Sequence, residues 1–251
     1  MNEGWFRYFV LGWLILAVVV FPLLLRIPAP YGRHTVKGWG PLMNNRLGWF
    51  LMELPALVLF TFLALYMKPT IGTTGTIAVC LWIFHYIHRV LIFPFRIRTQ
   101  GKKIPILIML FAFFFNLVNG FVNGYWFGWL SPGYALDWLC DPRFGAGIIL
   151  FTAGFVTNLY HDRILIRLRR NGNGYKIPYG GLFRFVSCPN FLGEIIEWGG
   201  FAIMTWCLPT FSFFLWTLVN LVPRALDHHR WYRRNFEGYP AERKALVPFV
   251  L

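Results

Sequence analysis

The sequence predicts an all-α integral membrane protein, a bundle of seven transmembrane helices with the N-terminus outside and the C-terminus in the cytosol. Three observations carry that expectation. Of 251 residues, 57% are hydrophobic and 20% aromatic, while only 14% are charged. A soluble domain usually carries about 25% charged residues, so there is too little polar side chain to cover a water-soluble globule of this size. The apolar residues also come in long runs of the length that crosses a bilayer as a helix. Finally, the basic residues gather in the joints that such a bundle places on one face.

Taken in order, the runs at roughly 5–25, 47–67, 71–93, 104–127 and 144–162 each read as one span. The first is too long for a signal peptide and lacks an A-x-A-like cleavage site, so it reads as a retained helix. The stretch 191–222 is too long for one upright span and holds Pro209 near its middle. Proline inside a helix removes a hydrogen bond and clashes with the preceding turn. The stretch is therefore expected as two spans, roughly 191–207 and 209–226, joined by a tight turn. No internal repeat is evident, and residues 1–251 read as a single transmembrane domain.

Lys and Arg then set the orientation. Joints after the odd-numbered spans and the C-terminal segment hold 20 of the 24 basic residues, among them Arg26, Arg46, Lys102, Arg167, Arg184, Arg230 and Lys244. The other side holds only Arg7, Lys68 and Arg143, and Arg89 lies within a span. The positive-inside rule places the crowded side in the cytosol. A missed or extra span would scatter these charges over both sides. The net charge of +14 would suggest nucleic acid in a soluble protein, but here the cations lie between apolar runs and the membrane explains them, so no nucleic-acid partner is expected. Cys80, Cys140, Cys188 and Cys207 form no CxxC pair and neither a zinc pattern nor a disulfide framework; they are expected as buried free thiols, and no metal is expected.

Ionisable residues inside spans are costly and are functional candidates by default. Glu53 lies about a turn and a half inside the second span, in Trp49-Phe50-Leu51-Met52-Glu53-Leu54-Pro55. An isolated carboxyl there is favoured in its neutral form, which can donate a hydrogen bond to a carbonyl. The alternative is structural pairing with Arg89 or His85, since buried charges are usually paired. The third span ends in His85-Tyr86-Ile87-His88-Arg89. His85 and Arg89 share a helix face, as do Tyr86 and Arg89, so Tyr86 is a candidate acid or oxyanion donor; an interfacial aromatic and basic anchor is the alternative. Asn116, Asn119 and Asn123 lie on one face of the fourth span, where Asn often serves as interhelical glue.

The C-terminal half carries polar stripes near the cytosolic rim. Asn158, Asp162 and Arg169 align on the fifth span. A glycine-rich joint follows, from Asn171 through Tyr175 and Lys176 to Gly181. It is no Rossmann fingerprint, although glycines let backbone N–H groups approach phosphates. Asn190, Glu194 and Glu197 share one face of the sixth span and call for partners such as Arg224 and His228; Arg224, His228 and Tyr232 make a stripe on the last helix beside Asp227. The cation-rich rim suits a phosphate-bearing soluble cofactor, and the apolar half around Glu53 and Tyr86 suits a lipophilic substrate arriving from the bilayer.

Asn190-Phe191-Leu192-Gly193-Glu194-Ile195-Ile196-Glu197-Trp198 resembles the sixth-span motif of the steroid 5α-reductase family. Arg224-Ala225-Leu226-Asp227-His228-His229-Arg230-Trp231-Tyr232 resembles its penultimate segment, and Tyr239-Pro240 through Arg243-Lys244-Ala245-Leu246-Val247-Pro248-Phe249 its C-terminal end. Leu51 to Pro55, His85 to Arg89 and Tyr31 to Thr35 also match. The family has seven spans and reduces Δ4-3-oxo steroids with NADPH. The resemblance implies that Glu53 and Tyr86 hydrogen-bond the 3-carbonyl and that Trp49 lines the steroid slot. It implies an NADPH site from Asn158, Asp162, Arg169, Tyr175, Asn190, Glu194, Arg224, His228 and Tyr232. Met52 stands where members often have Gln, and Asp227 where they often have His.

That chemistry agrees with the residues. Hydride addition at C5 of the enone builds negative charge on the carbonyl oxygen, and a donor poised there stabilises the transition state by a factor of about 10²–10³ in rate. The spans within about 1–127 are expected to form the substrate pocket and those within 144–251 most of the cofactor site. The expected partners are a lipophilic steroid or sterol substrate and membrane lipid, and the chain is expected as a monomer. The setting would be a bacterial inner membrane or an endoplasmic reticulum membrane, with the cofactor site facing the cytosol. Two rival readings are an integral-membrane methyltransferase of the isoprenylcysteine type, which would use S-adenosylmethionine, and a proton-coupled transporter relaying protons through Glu53 and Arg89. The Arg-His-Pro signature of the first is absent, and the second finds no inverted repeat.

Overall fold

The computed structural model describes residues 2–27, 38–66, 72–97, 99, 101–170 and 174–251. Residues 31–35 and 171–173, and with them part of the resemblance and of the glycine-rich joint, lie outside the described residues. Helix dominates. The α-helices are α1 (Glu3–Arg26), α2 (Asn45–Tyr66), α3 (Gly72–Ile87), α4 (Phe93–Arg96), α5 (Ile106–Tyr125), α6 (Pro142–Arg170), α7 (Pro189–Thr205) and α8 (Leu208–Asn235). Strands β1 (Leu42–Asn44) and β2 (Lys103–Pro105) pair antiparallel, with Met43 opposite Ile104.

Among the described residues five rods are long and apolar enough to cross a membrane: Glu3–Arg26, Asn45–Tyr66, Gly72–Arg96, Ile106–Leu130 and Pro142–Arg169. Their large apolar side chains point outward as well as inward; Ile15, Val18, Phe111 and Ile149 are all exposed. That surface would be costly in water and is natural in lipid, where a helix is stable because it satisfies its own backbone. The protein is an all-α membrane protein.

The expected break in the sixth apolar run falls at Trp206, whose φ of 44° and ψ of 47° are left-handed and end α7. Pro209 therefore sits in the first turn of α8, where a missing N–H costs nothing because that turn's donors have no intrahelical partner. The Thr205 hydroxyl donates to Phe201 O at 2.8 Å and lies 2.7 Å from the Thr210 hydroxyl, tying the two helix ends together.

The described chain forms two compact units. In the first, made from residues 1–10, 30–145 and 207–209, α5 lies backbone to backbone on α2. A Cβ added at Gly120 would fall 2.9 Å from Pro55 O, and one at Gly124 2.9 Å from Phe60 Cα; one at Gly128 would overlap Leu63 O. These three glycines recur every fourth residue, the spacing of one helix face, and small residues there are what let membrane helices approach closely. Phe60 is fully buried and stacks on Trp82 at 4.5 Å, and Trp82 Nε1 donates to Ala56 O at 2.9 Å.

The second unit comprises residues 11–29, 146–206 and 210–251. Here α6 and α7 run antiparallel with glycine against glycine. A Cβ at Gly200 would fall 2.5 Å from Phe151 N and 2.7 Å from Gly147 O; one at Gly193 would fall 2.5 Å from Asn158 N and 2.7 Å from Gly154 O. The C-terminal tail docks beside the start of α7: Ser187 N–H donates to Lys244 O at 2.8 Å, Cys188 N–H to Ala245 O at 3.1 Å and Lys244 N–H to Phe185 O at 2.9 Å. Cys188, Ile195, Ala225, Ala245 and Leu246 close the core beneath it. Cys188 is buried, but Cys80 and Cys140 are exposed. This corrects the expectation of buried thiols: both sit on outward helix faces, where the surroundings of a small apolar thiol are set by what covers the helix.

Candidate active site

In the first unit the polar residues of the spans converge on Glu53. Its Oε1 lies 3.7 Å from Arg89 Nη2, with both side chains 13% exposed. Its Oε2 lies 3.4 Å from Asn116 Nδ2, and the same nitrogen donates to Met52 O at 2.7 Å. The pairing with Arg89, one of the two alternatives open from sequence, is thus present. Arg89 also lies 5.2 Å from the Trp49 ring centroid and 5.0 Å from that of Phe93. Trp49 and Phe93 meet edge to face at 5.4 Å. Two aromatic faces hold the guanidinium and shield the pair.

Arg89 reaches this place from a π turn, His88–Ile92, which joins α3 to α4. The physical reason follows one residue on: Pro94 has no N–H to return to Val90 O, and a wide turn ahead of it relieves the clash. The shared face of His85 and Arg89 argued from sequence assumes an unbroken α-helix, so that spacing no longer governs where Arg89 points. Tyr86, one turn before, is 3% exposed, with its ring 5.1 Å from both Trp82 and His85. Of the three aligned asparagines, Asn116 crosses to α2, whereas the amide nitrogens of Asn119 and Asn123 donate to carbonyls four residues back, Phe115 O and Asn119 O.

In the second unit four of the expected cofactor residues form one hydrogen-bonded chain. Asn158 Nδ2 donates to Asn190 O at 3.0 Å and lies 3.4 Å from Glu194 Oε2; Asn190 Nδ2 donates to Asp162 Oδ1 at 3.0 Å. The close α6–α7 contact at Gly154 and Gly193 brings these short side chains within reach. Arg169 lies 5.4 Å from the Tyr175 ring, which meets Trp231 edge to face at 5.0 Å. His228 stacks on Phe191 at 5.6 Å, and buried Tyr232 stacks on Tyr239 at 5.3 Å. Arg224 lies one turn before His228 on α8. Asp227 pairs with Arg230 on its own helix.

Other polar residues around this site were not singled out from sequence. His161 Nδ1 lies 2.7 Å from Thr157 O, and its Nε2 accepts the Leu182 N–H at 2.9 Å. The second bond fixes Nε2 as acceptor and so Nδ1 as the donor of a neutral ring. His161 thereby anchors the segment after Gly181, a glycine at φ 51° whose added Cβ would fall 2.7 Å from His161 Nε2. The Ser187 hydroxyl lies 2.7 Å from His229 Nδ1 and 2.6 Å from the Tyr239 hydroxyl. Burial, with Arg233 and Lys244 nearby, holds the His229 imidazole below the usual histidine range, and burial pushes the Tyr239 phenol up. Arg243 is buried, donates to Pro178 O at 3.0 Å, and lies 4.9 Å and 5.3 Å from the Tyr179 and Tyr239 rings. These groups fasten the segment before α7 and the C-terminal tail to α6 and α8. The only sequence signal for them was aromatic and basic residues recurring within the motif-bearing tail.

Comparison with known proteins bears on both units. A family model described as 3-oxo-5-alpha-steroid 4-dehydrogenase matches residues 102–251. The chain is 40% identical over 254 residues to a steroid 5-alpha-reductase of Gossypium hirsutum, covering 99% of this chain and 98% of that one. It is 40% identical over 256 residues to the corresponding protein of Arabidopsis thaliana, with 99% and 98% covered. To 3-oxo-5-alpha-steroid 4-dehydrogenase 2 of Rattus norvegicus it is 40% identical over 232 residues, with 91% and 90% covered. The chain belongs to the steroid 5-alpha-reductase (3-oxo-5-alpha-steroid 4-dehydrogenase) family.

Proposed function

We propose that the chain reduces the Δ4 double bond of a 3-oxo-Δ4 steroid to the 5α-3-oxo steroid, with NADPH as reductant. The observation that carries this reading is the gathering of a carboxyl, a guanidinium and an amide on Glu53 inside an apolar helical unit of a family member. The relatives' names supply the substrate class. NADPH, when bound, supplies the hydride for C5. Glu53 and Tyr86 donate hydrogen bonds to the 3-carbonyl oxygen, where negative charge develops, and stabilise the transition state more than the ground state. To donate, Glu53 must carry a proton as the carbonyl arrives. Its contacts to Arg89 and Asn116 are long, at 3.7 and 3.4 Å, so neither competes as strongly as a short hydrogen bond would. Trp49 lines the steroid slot and, with Phe93, keeps water from Arg89.

The second unit's residues suit the nucleotide by their chemistry. Asp162 and Glu194 accept from hydroxyls, Asn158 and Asn190 serve as amide donors and acceptors. Arg169 and Arg224 suit phosphates, for which guanidinium groups are well shaped. Tyr175, His228 and Tyr232 offer ring faces and polar tips. In this reading the chain is a single seven-span domain, its α7 and α8 completing the count. Spans within 1–127 form the steroid side and those within 144–251 the nucleotide side. The C-terminus and the nucleotide entry face the cytosol, in a bacterial inner membrane or the endoplasmic reticulum, and the protein works as a monomer among membrane lipid.

The test is direct. Purified protein given NADPH and a Δ4-3-oxo steroid should oxidise the nucleotide and saturate the ring, and Glu53→Gln should lose turnover while still binding NADPH. Turnover with a methyl donor in place of NADPH would overturn the reading, and undiminished activity in Glu53→Gln would overturn the role of Glu53.

A further inference from the structure

We infer that Asn116 is a positioning residue for Glu53, holding its carboxyl in the orientation that meets the carbonyl oxygen; the inference rests on the role proposed for Glu53 above. A carboxyl on a flexible glutamate turns easily about its terminal torsion, which has broad minima. One contact cannot fix its plane, but two contacts on different oxygens can. Here Arg89 takes Oε1 and Asn116 takes Oε2. Arg89 alone sits on a side chain with several rotatable bonds, held by ring faces rather than by bonds to the backbone. Asn116 has two rotatable bonds, is 6% exposed, and is pinned by its 2.7 Å bond to Met52 O. That bond uses one amide hydrogen and turns the other toward Glu53.

The fold explains why a side chain as short as Asn can do this. Asn116 precedes Gly120, Gly124 and Gly128 by four, eight and twelve residues and so stands on the same face of α5. Those glycines bring the α5 backbone onto α2 from Pro55 to Leu63. Asn116 is the first residue of that stripe with a polar side chain, and it falls opposite the turn that carries Glu53. A purely adhesive asparagine needs only the Met52 carbonyl. The contact at Glu53 Oε2 is the part that adhesion does not require.

Four proteins decide it: the unaltered chain, Asn116→Ala, Glu53→Gln and the double variant, each assayed with NADPH and a Δ4-3-oxo steroid under single-turnover conditions as well as in steady state. Asn116→Ala should lower kcat about 10- to 100-fold, the scale of a misplaced catalytic group, while KM for NADPH stays unchanged. The double variant should be no slower than Glu53→Gln, because a residue acting through Glu53 has nothing left to position. If Asn116→Ala does not fold, Asn116→Asp, which keeps the shape but loses both donors, should show the same loss of kcat with KM for NADPH unchanged. Normal kcat in the folded Asn116 variant beside an inactive Glu53→Gln would overturn this inference alone, as would a double variant slowed by the full product of the two single effects. Normal turnover in Glu53→Gln would overturn the role of Glu53 and the inference with it.

Discussion

Gly193→Ala should weaken nucleotide binding far more than its size suggests. The added methyl would fall 2.5 Å from Asn158 N, 2.7 Å from Gly154 O and 3.1 Å from Asn158 Cα. All three atoms are backbone and cannot turn aside. Relief to an ordinary carbon contact of about 3.5 Å requires α7 to retreat from α6 by roughly 1 Å at this turn. The Asn158 Nδ2–Asn190 O and Asn190 Nδ2–Asp162 Oδ1 bonds, both 3.0 Å, would open to about 4 Å, which is no longer a hydrogen bond. A neutral bond is worth about 1 kcal/mol and one to a carboxylate about 1.5–3 kcal/mol. Misaligning both should cost about 2–4 kcal/mol of nucleotide affinity, or about 30- to 1000-fold at 1.4 kcal/mol per decade. The assay is KM for NADPH at saturating steroid in detergent, with nucleotide binding followed by tryptophan fluorescence. Gly145→Ala is the control, since a Cβ there meets nothing within 4 Å; it should leave KM unchanged. Gly193→Ala with unaltered KM would refute the reasoning, because either the helices can part without disturbing the network or the network does not hold nucleotide.

Two further outcomes follow from the C-terminal fastening. Folded His229 is held below the ordinary histidine pKa, so the unfolded chain binds the proton first; its share of stability is present above about pH 6.5 and is lost as pH falls below that. The thermal midpoint should therefore drop between pH 7 and 5, and His229→Asn should flatten that slope; an unchanged slope would count against it. Arg243→Ala removes a buried guanidinium between two rings and its bond to Pro178 O, which should cost about 2–3 kcal/mol. It should be read as a lowered thermal midpoint and as faster proteolysis of the C-terminal tail, and an unchanged midpoint would argue that the tail is held otherwise.

Much of this was legible in the residues because it rests on local pattern. Runs of apolar residues marked the rods, and Pro209 marked the end of one, displaced three residues upstream because proline is comfortable in a first turn. Glu53 was legible as a residue that needed a partner, and Arg89 as one that could be it. The cofactor chain from Asn158 to Glu194 could be proposed because each half lies on one helix stripe. What could not be read was pairing between distant segments. Gly120, Gly124 and Gly128 show their spacing plainly in the sequence, but nothing in that spacing says that α2 is the neighbour. Ser187, His229 and Tyr239 meet across 42 and 52 residues, and no periodicity links them. The π turn at His88 was equally silent, since its cause is a proline six positions on and its effect is on the residue between.

That π turn amounts to one surplus residue wound into a rod, and its consequence is a matter of phase. Each residue advances an α-helix by about 100°. Upstream of the turn, Trp82 must point at α2 to reach Ala56 O; downstream, Arg89 must point at α2 again to reach Glu53. A uniform helix keeps both headings only if their separation suits its pitch, and the wide turn works as a phase shifter between them. Removing a single residue from His88–Ile92 would straighten the rod, leave its length and greasiness almost untouched, and swing everything on one side by more than a quarter of a revolution. The chain would still look like a membrane protein and would have lost its aim.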